Sequence, residues 1–109
     1  RTPEKVAAAA RVASETGADF IKTFYTGDKK SFKVVLDNCS VPVLILGGPK
    51  IDTDRAVLEL VHDAMDAGAA GITMGRNIWG HANIGGITTA LSEIIHNDAS
   101  VESAYRLIQ

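Results

Sequence analysis

The chain has 109 residues, 46% of them hydrophobic and 22% charged, with 11 Lys and Arg against 13 Asp and Glu and a net charge of −2. That is the material of one ordinary domain of roughly 100–150 residues, and its balanced charge lacks the basic footprint that nucleic acid or an anionic membrane requires. The longest apolar run, Val41 to Leu46, is far below the roughly 20 residues of a transmembrane helix.

The opening residues Arg1-Thr2-Pro3-Glu4-Lys5 hold neither an initiator Met nor a secretory apolar segment, as expected of a stretch belonging to a longer chain. One cysteine, Cys39, forbids an internal disulfide and, with no secretory signal, points to a reducing cytoplasm. The glycosylation pattern Asn38-Cys39-Ser40 carries meaning only in a secreted protein.

Thr2, Pro3 and Glu4 read as an N-cap, a first-turn proline and a dipole-matched acid, and Gly17 as the stop of a helix over about 3–16. The β-branched and aromatic segment of about 19–25 predicts a strand, closed by Thr26-Gly27-Asp28. A short helix over about 30–38 follows, with Phe32, Val35 and Leu36 as its stripe. Residues 41–46 predict a second strand, apolar on both faces and therefore buried in a parallel sheet. After Gly47-Gly48-Pro49-Lys50, Asp52-Thr53-Asp54 caps a long helix that buries Val57, Leu60, Val61, Ala64 and Met65 and stops at Gly68. A third strand at about 71–75 runs through Gly75-Arg76-Asn77 into an irregular or single-turn segment around Ile78 to His81. Helices over about 84–96 and 100–108 complete the chain.

Alternating βα units predict a parallel sheet. The strands start near residues 19, 41 and 70, a spacing near the ~31 residues per unit of a ~250-residue (β/α)₈ barrel. Three strands cannot close a barrel, and alone they leave both sheet edges unpaired. The expected fold class is α/β, the C-terminal part of a larger protein.

Parallel α/β folds place ligands at the C-terminal ends of their strands, where this chain puts Gly27, Gly47, Gly48 and Gly75. Backbone amides there make an anion cradle, and Arg76 can add a bidentate fork to a phosphate. Tight βα turns alone would explain the same glycines. Lys22 lies within a strand, between Phe20 and Phe24 on one face. Desolvation there would favour the neutral amine, a nucleophile toward carbonyl carbon; a lysine snorkelling to solvent is the alternative. His62, Asp63 and Asp66 read as solvated, His96 as a helix C-terminal cation, and Cys39 as a small apolar residue. His81 stands close enough to the Gly-Arg-Asn loop to reach a ligand, and Tyr25 follows the Lys22 strand. No grouping has zinc spacing, and no cofactor is expected.

The strings Ala18-Asp19-Phe20-Ile21-Lys22-Thr23-Phe24-Tyr25-Thr26-Gly27-Asp28, Val41-Pro42-Val43 through Gly47-Gly48-Pro49-Lys50, Asp63 through Gly71, and Met74-Gly75-Arg76-Asn77-Ile78-Trp79 resemble the archaeal-type class I fructose-bisphosphate aldolases. Their superfamily includes deoxyribose-phosphate aldolase. The resemblance covers the whole chain and implies a partial TIM (β/α)₈ barrel, residues 1–109 being strands six to eight of the parent. It implies that Lys22 forms the Schiff base with a phosphorylated ketose and that Gly47, Gly48, Gly75 and Arg76 bind its phosphate. Tyr25, from its place after the Lys22 strand, is a candidate substrate contact with capping or packing as the alternative, and Lys50 is a further candidate contact. Leu46 departs from the pattern, which commonly has a small or hydroxylated residue there; that departure implies a shifted substrate preference.

Fructose 1,6-bisphosphate cleavage is the favoured activity. An amino-dideoxy-heptulosonate synthase, a transaldolase-like relative, and a phospho-sugar thiolase of the same superfamily are the alternatives. A non-catalytic phosphate-binding half barrel is the reading from another class. The general acid/base is expected upstream, so these residues alone should have little activity. The expected partners are a phosphorylated sugar and, for the open strand edges, a second copy or the rest of the barrel; nucleic acid and membrane are not expected.

Overall fold

Thr2 opens the first helix as its sequence predicts. Its side chain accepts the Lys5 N–H at 3.2 Å, and α1 runs Pro3–Glu15 in the computed structural model, which describes residues 2–109. β1 (Ile21–Thr23), α2 (Lys29–Asp37), β2 (Val43–Leu46), α3 (Asp54–Ala67), β3 (Gly71–Thr73), α4 (Arg76–Trp79), α5 (Ile84–Asn97) and α6 (Val101–Arg106) follow. Side-chain caps start the longer helices: Asp28 accepts from Ser31 N–H at 2.8 Å and Thr53 from Ala56 N–H at 3.1 Å. Gly68 ends α3.

The sheet is parallel in the order β1-β2-β3, with Ile21 opposite Val43, Lys22 opposite Leu44 and Leu46 opposite Thr73. All three strands are shorter than the predicted 19–25, 41–46 and 71–75. Central β2 sets the limit: it begins after Pro42, which has no N–H for the ladder, and turns away at Gly47. Both neighbours lose their partner there. Of the irregular or single-turn segment predicted around Ile78 to His81, the structure makes a single-turn helix, α4, that begins earlier, at Arg76.

Helices cover one face of the sheet, where Ile21, Val43 and Ile45 are buried. Lys22, Leu44, Leu46 and Thr73 point the other way and are exposed or half-buried. A β2 buried on both faces, expected from its apolar run, is therefore corrected to an alternation of buried and half-buried residues.

Two apolar clusters lie beneath the helices. One joins α1, α2 and β2 through Phe32, Val35 and Ile45; the other joins α3, α5 and α6 through Leu58, Val61 and Ile87. Leu60, Met65, Ile72 and Met74 pack against both. Because α3 has α2 on one side and α5 and α6 on the other, its buried arc is wider than the predicted stripe. Leu58 and Ala67 join it as buried residues, while Leu60 and Met65 are only half-buried. On α5 the first residue, Ile84, is 49% exposed. Arg55 holds α6 to α3, bonding Glu102 and lying 4.8 Å over the Tyr105 ring.

Leu58 is completely buried. Leu58→Ala is expected to cost about 2–5 kcal/mol of stability, as large cavities in packed cores do. Denaturant unfolding measures it, and a loss below about 1 kcal/mol would mean that α3 is not packed from both sides.

Candidate active site

Parallel strands bring their C-terminal ends to one edge of the sheet, so the loops after β2 and β3 meet. With the open sheet face they form a cleft of about 500 Å³, lined by Lys22, Phe24, Leu46, Gly47, Gly48, Pro49, Thr73, Gly75, Arg76 and Trp79. Five sequence candidates thus share one concave surface: Lys22, Gly47, Gly48, Gly75 and Arg76.

Lys22 reaches the cleft because its register against Leu44 turns it away from the helices. The apolar enclosure expected from Phe20 and Phe24 is corrected, since Lys22 is exposed and Phe20 is 61% exposed. No second layer of described residues covers that face.

The glycines meet different demands. Gly48 has φ +65°, whereas Gly47 answers to space: a Cβ there would stand 2.8 Å from Asn77 Nδ2 and 3.0 Å from Met74 Cγ. A Cβ on Gly75 would collide with the indole of Trp79, whose ring packs against the Gly75 backbone at the cleft while remaining 70% exposed. Arg76 begins α4 beside it.

Tyr25 and Lys50 are not among the residues that line this cleft. Lys50 Nζ donates to Gly80 O at 3.0 Å. Tyr25 lines a separate cavity of about 450 Å³ with Thr2, Pro3 and Val6. Its ring lies 5.2 Å from that of Phe32, and its hydroxyl is buried with no hydrogen-bond partner among the described residues. Burial, followed by the nearby carboxylates of Asp63 and Asp28, raises its pKa above the ordinary phenol value. His81 is also committed elsewhere. Its Nδ1 accepts the Asn83 N–H at 2.8 Å, which leaves the proton on Nε2 to donate to Asp54 Oδ1 at 2.7 Å. Among the described residues, no group of three or more His, Cys, Asp or Glu side chains is placed to hold a metal ion, and no helix is long and apolar enough to cross a membrane.

Sequence reasoning missed Thr73, Trp79 and Asn77 as parts of this region. Thr73 was legible only through its register with Leu46. Trp79, the sole tryptophan, carried a signal in its closeness to the Gly-Arg-Asn string. Asn77 is 3% exposed, the one buried polar side chain among the described residues.

Residues 1–81 match the family described as DeoC/LacD family aldolase. The chain belongs to that family. Within it, the chain is 48% identical over 96 residues to the 2-amino-3,7-dideoxy-D-threo-hept-6-ulosonate synthase of Halobacterium salinarum, covering 88% of this chain and 36% of the relative. It is 44% identical over 95 residues to the class 1 fructose-bisphosphate aldolase of Thermoproteus tenax, covering 86% and 36%. Among solved structures, an archaeal fructose-1,6-bisphosphate aldolase with its catalytic Lys covalently bound to the carbinolamine intermediate superposes with a TM-score of 0.83 at 43% identity, covering 86% of this chain and 38% of that one. This DeoC/LacD chain therefore spans a little over a third of the relatives it matches, and its fold is a partial (β/α)₈ barrel.

Because Tyr25 favours its neutral form, its contribution to stability is complete below the ordinary phenol pKa and is lost as pH rises through the higher folded-state value. Tyr25→Phe removes a buried hydroxyl that has no partner among the described residues. It is expected to melt at an equal or higher temperature at neutral pH and to abolish that alkaline loss; a clear fall in melting temperature would mean that the hydroxyl has a partner.

Proposed function

We propose that the protein carrying this chain is a Schiff-base aldolase acting on a phosphorylated ketose, with fructose 1,6-bisphosphate as the favoured substrate. The chain supplies the last three strands of the barrel, six to eight. The observation that carries the reading is the meeting of Lys22 with Gly47, Gly48, Gly75 and Arg76 around one cleft. An amine that attacks a carbonyl and a cradle for the phosphate of the same molecule stand on one surface.

Lys22 Nζ adds to the C2 carbonyl, and loss of water leaves an iminium. When the C3–C4 bond breaks, its electron pair passes into that iminium to give an enamine, while a base takes the C4 hydroxyl proton and the aldehyde leaves. Protonation at C3 and hydrolysis then release dihydroxyacetone phosphate and the free lysine. Backbone amides of the glycine loops and the Arg76 guanidinium would hold the phosphate and fix the distance from it to C2. The acid/base is assigned to the upstream part of the barrel, and activity to the whole protein. Its place of action is the cytoplasm. The open edges of β1 and β3 would pair with the upstream strands or with a second copy.

The 48% identity to the heptulosonate synthase favours a second reading, transfer of the enamine to a different acceptor. Both readings use Lys22. Leu46, which the sequence resemblance marks as a departure, lines the cleft and bears on the choice between them.

Borohydride reduction of the full-length protein with dihydroxyacetone phosphate, followed by peptide mass mapping, is expected to place the label on Lys22 and to lose it in Lys22→Arg. An unmodified Lys22 in active enzyme would refute the proposal.

A further inference from the structure

The two glycine loops of the cleft come from different strands, and hydrogen bonds within the sheet end before either begins. Asn77 connects them. It sits on α4, directly after Arg76, and its side chain is buried rather than directed at the cleft. Ile51 N–H donates to its Oδ1 at 2.7 Å, and its Nδ2 lies 3.4 Å from Pro49 O. A backbone N–H needs an acceptor, so the amide orientation is determined by Ile51. The same Nδ2 occupies the space that a Cβ on Gly47 would need. One side chain thus bonds the far end of the β2–α3 loop and fills the hollow over its first glycine.

The geometry points to Asn77 as a positioning residue that locks the Gly47-Gly48-Pro49 loop to α4, holding the two halves of the phosphate cradle at a set separation. This rests on the phosphate reading of the cleft given above. Without the amide, the Ile51 N–H loses its buried acceptor, and Gly47 and Gly48 are free to move relative to Gly75 and Arg76. The constraint also helps explain why residue 47 is glycine: a side chain there is excluded by Asn77 together with Met74, not by its own dihedral angles.

The test uses the full-length protein that carries this chain, with inorganic phosphate as probe; amide exchange at Ile51 and phosphate titration are both followed by NMR. In Asn77→Ala, exchange at Ile51 is expected to quicken by at least about tenfold, and phosphate affinity to fall about tenfold. Gly47→Ala attacks the same contact from the loop, and it should do likewise while the double variant is no worse than either alone. Asn77→Asp keeps the acceptor and is expected to restore slow exchange at Ile51. Ile87→Val, in the distant α3–α5 cluster, is the control for a general loss of stability; it should lower the melting temperature and leave phosphate affinity unchanged. Unchanged Ile51 exchange in both Asn77→Ala and Gly47→Ala, or a phosphate effect no larger than that of Ile87→Val, would overturn the inference. If the unsubstituted full-length protein binds no phosphate, the phosphate reading of the cleft fails, while the Ile51 exchange still decides whether Asn77 joins the loops.

Discussion

A parallel sheet needs cover on both faces, and in this chain helices supply it on one. Everything about the cleft descends from that asymmetry. The in-register pairing of Lys22 with Leu44 and of Leu46 with Thr73 assigns alternate residues to the uncovered face, so a lysine can stand in the middle of a strand without entering the apolar clusters. A shift of the β1 register by one residue would send it into the helix layer and turn Ile21 outward. The same parallel direction delivers both glycine loops to the same end of the sheet.

Packing on the covered face gives that arrangement its rigidity. Two clusters, one under α1 and α2 and one under α3, α5 and α6, share Leu60, Met65, Ile72 and Met74. Met74 belongs to this shared layer and also lies 3.0 Å from the position a Gly47 Cβ would take. Core and loop are therefore in direct contact, and the buried Asn77 amide continues that contact to Ile51. A polar group is tolerated there because both ends of its amide meet backbone partners.

Much of this was legible beforehand. The caps at Thr2, Asp28 and Thr53 act within a few residues, so helix starts follow from local chemistry. Lys22 and the glycine loops announced themselves through residue type and through the βα order that gathers strand ends. What escaped depends on distant neighbours. Leu58 is buried only because α3 is packed from two sides, and β2 alternates only because one face lacks a second layer. Tyr25 and Lys50 carry chemistry suited to a sugar phosphate. Tyr25 turns toward Phe32 in the helix layer, and Lys50 is captured by the Gly80 carbonyl. His81 likewise spends both ring nitrogens on Asp54 and Asn83. No local pattern records where such side chains find their partners.

The central claim is that one cleft joins a covalent lysine to a phosphate cradle. A crystal structure of the full-length protein with dihydroxyacetone phosphate bound tests it most directly. The account predicts a bond from Lys22 Nζ to C2 of the ketose, with the phosphate oxygens against the Gly48 and Gly75 amides and the Arg76 guanidinium. A covalent bond to any other lysine, or a phosphate seated away from these two loops, would contradict it.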